Sequence, residues 1–428
     1  MCSSTDNTVS DTPLVNRWND FDPLEEVVVG IADGSCFPPH EPACESEFND
    51  QYTKYGSSMS HPFSEFLPWP TGPKLKRFIN RCNEELDGLK EVLQSEGVIV
   101  KRPDPTCCDF NVRTKTPDFE SPNQYCAVCP RDVICTIGNE ILEATMSKRS
   151  RYFEYRPYRK LCRYYFDNDP KMRWVSAPKP LMADSSYNPE FWTWNEEQRK
   201  ANMHDYRFCC NENEVLFDAA DTQLIGDVLL VQHSMTTNLA GIRWLKRHYQ
   251  PQGIKVRTLH FPYDLYPSHI DCTFVSVRPG LVITNPDRPP VEEEIKFFKQ
   301  NDWRLVDVRF VGQSAFFVCS SLPQVPMWNG TKEHPVFCQS SRWLSMNVFS
   351  ITPDKICVED DEQDLIRLLE GEHGFDVLGI PYRGVFEFGG SLHCSTWDVR
   401  RRGGKRDYFP DRTGCEEDIG LTKLTQLP

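Results

Sequence analysis

The chain has 428 residues, 39% hydrophobic and 26% charged, enough for a sizeable core and, by length alone, for two or three domains. Its formal net charge of -14 argues against nucleic acid or an anionic membrane as partner, because phosphate binding needs clustered Lys and Arg, and it suits a small cationic substrate. The sequence has no run of about eighteen apolar residues to span a membrane and a polar, acidic start without a signal-peptide core, so a cytoplasmic protein with eighteen reduced cysteines is expected.

Residues 1–15 read as a disordered tail and residues 16–428 as one domain, since composition nowhere shifts enough to divide it. Order is expected near Trp18, and residues 24–30 read as a buried strand stopped by Gly30. A Pro-, Gly- and Ser-rich excursion follows over 37–71. From 73 to 96, Leu75, Phe78, Cys82, Leu86, Leu89 and Leu93 recur at helical spacing, with Pro73 as start and Gly97 as stop, and a strand at 98–100 follows. Residues 133–144 hold two strands about the turn Gly138-Asn139. Strands are further expected at 227–231, 281–284, 305–309, 355–358 and 375–380, and helices at 239–249, 291–301 and 361–370. The alternation argues for an α/β architecture.

Polar residues stand where these strands end. Phe217-Asp218-Ala219-Ala220-Asp221 brackets two alanines with carboxylates just before a strand. In residues 267–274, alternation puts His269 and Asp271 on one face of an extended chain. Lys115-Thr116-Pro117-Asp118-Phe119-Glu120 is a third such segment. Gly389-Gly390 then lets the backbone turn sharply and deliver Cys394 among small polar residues. Singly each has a bland reading: a strand-end Asp is more often a cap or turn residue, and Cys394 is one cysteine of eighteen. Together they form a chemical set, since a thiol needs a base and the base a carboxylate to orient it. A papain-like protease expects its cysteine early and its His later, the reverse of this order. Cys126-Ala-Val-Cys129 is a lone CxxC without a second pair, so no metal is expected, and Asn329-Gly330-Thr331 matches the glycosylation triplet without a secretory context.

FDAAD at 217–221, SHIDCTF at 268–274, NPDRP at 285–289, SSRWLSMNV at 340–348 and GGSLHCSTWDVRRRG at 389–403 resemble the signature blocks of the glycine (arginine:glycine) amidinotransferases. TPDFES at 116–121, VCPRD at 128–132 and RSRYFEYR at 149–156 extend the likeness to nearly the whole chain. The resemblance implies the five-bladed α/β propeller of the guanidine-modifying enzymes, the pentein fold, built of ββαβ modules with pseudo-fivefold symmetry. It implies a ping-pong transfer without cofactor or metal: Cys394 attacks the guanidinium carbon of L-arginine, ornithine leaves, and an acceptor amine takes the amidino group from sulfur. His269 then moves protons and Asp218 orients it. Asp118 and Asp271 match the carboxylates that grip the planar cation, Arg288 the group that binds substrate carboxylate, and Ser340 and Ser341 further arginine contacts. Trp397 and Arg400 to Arg402 read as structural.

The acceptor expected from the family is glycine, giving guanidinoacetate. Tyr266-Pro267-Ser268 stands where creatine-pathway members carry Asn-Pro-Met, a departure that resembles the cyanotoxin-pathway enzymes of saxitoxin and cylindrospermopsin biosynthesis. Tyr266 and Ser268 would reshape the pocket mouth, so a bulkier amine is the rival acceptor. Two further readings stand beside transfer: an arginine deiminase-type hydrolase, with water as acceptor, and a non-catalytic arginine-binding protein. Residues 310–334 exceed the family's loop, in the manner of a lid or partner contact. The partners implied are small molecules, with room for a homodimer.

Overall fold

The computed structural model describes residues 13–39, 41–43, 72–261, 269–286, 288–308, 325–328, 337–340 and 342–411. One pattern recurs in five three-stranded sheets among them: a middle strand pairs antiparallel on one side and parallel on the other. Ile134–Ile137, Glu140–Glu143 and Arg173–Ser176 form one such sheet. Thr222–Ile225, Val228–Gln232 and Lys255–Leu259 form the next, then Phe274–Arg278, Leu281–Thr284 and Arg304–Asp307, and Phe349–Thr352, Lys355–Glu359 and Asp376–Ile380. In each, a helix lies between the second and third strands, because a parallel return needs a crossover. The fifth sheet joins the two ends of the described chain: Leu24–Val29 pairs parallel with Ile99–Lys101 and antiparallel with Thr396–Arg401. The molecule is α/β.

Local chemistry explains most of these elements. The helix Lys76–Ser95 buries Phe78, Cys82, Leu86, Leu89 and Leu93, the face read from the sequence, and Gly97 at φ +82 ends it. Its start differs, because Pro73 pairs with Cys36 in a two-residue strand and Leu75 is exposed at the N-cap. Helix Leu239–Tyr249 is capped by the Asn238 side chain and ends in Lys246, Arg247 and His248, which favours its dipole. The helix expected at 361–370 is shorter, Gln363–Arg367, and passes into a π-turn. The helices Arg159–Asn168 and Glu196–His204 were not legible in the apolar pattern.

Order also begins earlier than expected. Residues 1–12 of the expected tail lie outside the described residues, but Val15 is fully buried, and the backbone N–H groups of Leu14 and Val15 donate to Asp169 Oδ2 at 2.8 and 3.3 Å. Beyond it, Arg17, Asp20, Arg131, Asp398 and Arg401 form a buried ion network, with Arg131 and Arg401 each 2.6 Å from Asp398. Trp397 is buried, and its Nε1 donates to Thr136 Oγ1 at 2.9 Å. Arg401 also donates to the carbonyls of Asp22 and Ser350. Buried charges persist only when paired, and the network anchors the strand that leaves Cys394.

Candidate active site

The loop before Thr396–Arg401 turns on a glycine and is held by three side chains. Gly389 turns at φ +74, a conformation an L side chain rarely adopts. The His393 and Cys394 N–H groups both donate to Asn347 Oδ1 at 3.0 Å. Arg131 Nε donates to the His393 carbonyl at 2.7 Å, and Tyr125 Oη to the Phe388 carbonyl at 2.6 Å. A Cβ on Gly390 would come 2.4 Å from Cys129 Sγ and 3.0 Å from Cys394 Cβ. Gly390→Ala is therefore expected to displace the thiol, costing about 1–3 kcal/mol of stability by overpacking and about a hundredfold in turnover by misplacement. Denaturant unfolding and ornithine release measure the two effects, and full turnover would contradict this view of the loop.

Cys394 Sγ lies 3.4 Å from Asp271 Oδ2, which also accepts from His393 Nδ1 at 2.8 Å. Burial works against the charged form of Asp271, but the His393 hydrogen bond and the charges of His393 and His269 outweigh it and hold the carboxyl at about 2. A hydrogen bond with Cys272 pulls the Cys394 thiol down; burial and the charges of Asp271 and Asp132 prevail, so it stands above its ordinary value. The resting nucleophile is a protonated thiol facing carboxylates, and a bound cation would tip it toward thiolate.

His269 caps a short 3₁₀ turn, Ile270–Cys272, so this segment is not the extended chain the alternation suggested. Its Nε2 lies 3.2 Å from Asp218 Oδ2 and its Nδ1 3.6 Å from Asp132 Oδ1. Burial disfavours the imidazolium, yet Asp132, Asp218 and Asp221 raise His269 to about 10, so it is charged at neutral pH. Asp218 is fully buried and accepts the Ser147 N–H at 3.0 Å, an N–H that follows Met146 at φ +62. Asp221, the other carboxylate of the pair, accepts from Gln232, Ser234, Thr236 and Thr237 and is a structural knot.

Cys394, His269, Asp218 and Asp271 thus come together, with the Asp132 charge acting on both His269 and Cys394. Arg288 is buried close by, its Nη1 donating to Gln232 Oε1 at 3.0 Å and Thr273 Oγ1 at 3.1 Å. Asp118 does not join them. It is exposed in the turn between Thr114–Lys115 and Glu120–Ser121, which lifts it off the buried interior. The carboxylate that stands there is Asp132. Arg151 Nη1 holds its Oδ2 at 2.9 Å, and its buried Oδ1 has no hydrogen-bond partner among the described residues. Ser340 ends the strand Phe337–Ser340, while Tyr266, Ser268 and Ser341 lie outside the described residues, as do residues 310–334 apart from the strand Val325–Trp328.

Asp132, His393 and Asn347 carry weight that sequence reasoning missed. For Asp132 a signal existed: a charged Pro-Arg-Asp runs directly into the fully buried strand Ile134–Ile137, where a buried carboxylate needs a reason.

The structure of SxtG, an amidinotransferase from Microseira wollei in the saxitoxin biosynthetic pathway, superposes with a TM-score of 0.76 at 30% identity, covering 92% of this chain and 100% of that one. Inosamine-phosphate amidinotransferase StrB1 from Streptomyces griseus gives 0.73 at 32% identity, covering 93% and 100%. In sequence, the mitochondrial glycine amidinotransferase of Gallus gallus is 37% identical over 411 residues, 95% of this chain and 88% of the relative. The chain belongs to the amidinotransferases. The L-arginine:L-lysine amidinotransferase of Pseudomonas savastanoi pv. phaseolicola is 33% identical over 403 residues, 94% of this amidinotransferase and 98% of that one. No protein-family model matches the sequence. Among the described residues no helix is long and apolar enough to cross a membrane.

Proposed function

We propose that this amidinotransferase moves the amidino group of L-arginine onto an acceptor amine, with glycine the leading acceptor, through an amidino-thioether on Cys394. The carrying observation is the placement of Cys394 Sγ 3.4 Å from Asp271, with Asp132 Oδ1, which has no hydrogen bond among the described residues, 3.6 Å from His269 Nδ1. A guanidinium gripped by Asp132 and Asp271 brings a positive charge that favours the thiolate. Sulfur bonds the guanidinium carbon, the bond from that carbon to the δ-nitrogen breaks, and His269 gives that nitrogen its proton. The thiol proton restores His269, so ornithine leaves as the amine and the amidino group keeps its charge. In the second half the acceptor nitrogen attacks, the carbon–sulfur bond breaks, His269 gives its proton to the departing sulfur to restore the thiol, and then takes the surplus proton of the acceptor nitrogen, ending charged as it began. Asp218 holds the imidazole throughout.

Arg288 is proposed to hold substrate carboxylate, and the serines at 340 and 341 to make further contacts to arginine. The five sheets are proposed to stand as propeller blades about a pseudo-fivefold axis, with residues 16–428 as one domain, two copies making a homodimer, and the cytoplasm as compartment. Sedimentation and cell fractionation test the last two, the latter against the mitochondrial residence named for the vertebrate relatives.

The acceptor is tested by incubating the enzyme with arginine and competing amines and identifying the guanidino products. Guanidinoacetate should dominate. A bulkier guanidino product would favour the rival acceptor, which Tyr266 and Ser268 in place of the creatine-pathway residues support, and citrulline formed without any amine would overturn transfer in favour of hydrolysis.

A further inference from the structure

Transfer uses one sulfur, yet two lie in the site. Cys272 follows Asp271 in the same 3₁₀ turn and is buried. The ligand atoms of Asp271, Cys272 and Cys394 all lie within 4.8 Å of one another. Cys272 Sγ is 3.7 Å from Asp271 Oδ1 and 3.8 Å from Asn347 Nδ2, the amide whose Oδ1 accepts the Cys394 N–H. One carboxylate and one amide therefore hold two thiols, 122 positions apart by number (394 minus 272), facing each other at the nucleophile. The second touches the nucleophile by a hydrogen bond but forms no bond in the transfer sequence. Cys129, also close to this loop, instead packs its sulfur against Gly390.

We propose that Cys272 and Cys394 form a reversible disulfide when a hydroperoxide reaches the site, switching transfer off and protecting the nucleophile. The proposal rests on Cys394 being the substrate-reachable nucleophile, since peroxide would enter by the route the guanidinium uses. His269, whose side chain is 14% exposed, marks where the buried cluster meets the outside. Cys394 sulfur attacks the peroxide, the O–O bond breaks, and a sulfenic acid and an alcohol or water result. The Cys272 sulfur then bonds the Cys394 sulfur, the S–O bond breaks, and the departing hydroxide takes the Cys272 proton as water. Two thiols supply the two electrons, and a small dithiol reverses the process by exchange. Without a resolving thiol, further peroxide carries the sulfenic acid to the irreversible sulfinic state.

The test treats full-length enzyme, and its Cys272→Ala and Cys272→Ser variants, with hydrogen peroxide, blocks free thiols, and maps unreduced peptides by mass. Each rate is read against the same variant's untreated rate. The wild type should lose at least about tenfold in activity, show a peptide pair linked through Cys272 and Cys394, and recover with dithiothreitol. Both variants should lose activity without recovery and carry sulfinic acid at Cys394. A link to Cys129 instead, or equal recovery in variants and wild type, would overturn the proposal. The amidino adduct formed on untreated enzyme is read separately, so failure of the nucleophile assignment is distinguishable from failure of the switch.

Discussion

Cys394→Ser is expected to lower ornithine release by about four orders of magnitude or more, the scale seen when a covalent nucleophile is removed. The fold should survive, because a serine hydroxyl occupies less space and can donate to Asp271 Oδ2 as the thiol does. What it cannot do is ionise. Already for the thiol, burial and the Asp271 and Asp132 charges hold the proton on sulfur until a cation arrives, and a hydroxyl is a far weaker acid with no added base beside it. His269 gives no relief, since Asp132, together with Asp218 and Asp221, keeps it protonated near neutral pH. The direct check is intact and peptide mass after arginine alone: the wild type should carry an amidino group on the peptide bearing Cys394 and the variant none. An active wild type with no adduct there would mean that amine and arginine react directly, and ordinary turnover by the serine enzyme would remove Cys394 from the mechanism.

The strands and the thiol loop were legible because their signals are local. A buried strand is an apolar run ended by a turn, as at Val228–Gln232 and Leu281–Thr284, and a nucleophile loop shows itself in paired glycines. Helix Lys76–Ser95 could be read from spacing, whereas Arg159–Asn168 buries only Cys162 and Tyr165 and its Arg- and Tyr-rich sequence looks like a solvated surface. The grouping of strands into five sheets was not readable from pattern, because the closing pair, Leu24–Val29 with Thr396–Arg401, joins residues at opposite ends of the described chain. Of the expected carboxylates, Asp118 was misplaced for a related reason. Asp118 and Asp132 are both acids near a proline in one stretch, and only the fold shows that the first sits on an exposed turn while the second is drawn inward by Arg151. His393 was passed over as a neighbour of the thiol, though its ring fixes Asp271.

Asp132→Asn is expected to cost about 3–5 kcal/mol in transition-state stabilisation, the range for truncating one partner of a buried charge pair, or about two to four orders of magnitude in kcat/KM. Two losses combine. The guanidinium loses the carboxylate whose Oδ1 makes no hydrogen bond among the described residues, and His269 loses the largest charge raising its pKa. Removing a negative neighbour makes the imidazolium less favourable, so His269 should titrate below its present value of about 10, and the alkaline limb of the pH–rate profile should move to lower pH with it. The variant should still fold, since Arg151 keeps Glu154 at 2.8 Å and Asp218 at 3.9 Å. Asp118→Asn, on an exposed turn, should stay within about twofold of wild type. Kinetics across pH, with the His269 ring followed by NMR, separate the two carboxylates. If Asp118→Asn is the crippled enzyme and Asp132→Asn leaves both rate and titration where they were, the guanidinium is not held where Asp132 and Asp271 converge on Cys394, and the charge logic that sets the protonation of thiol and imidazole fails with it.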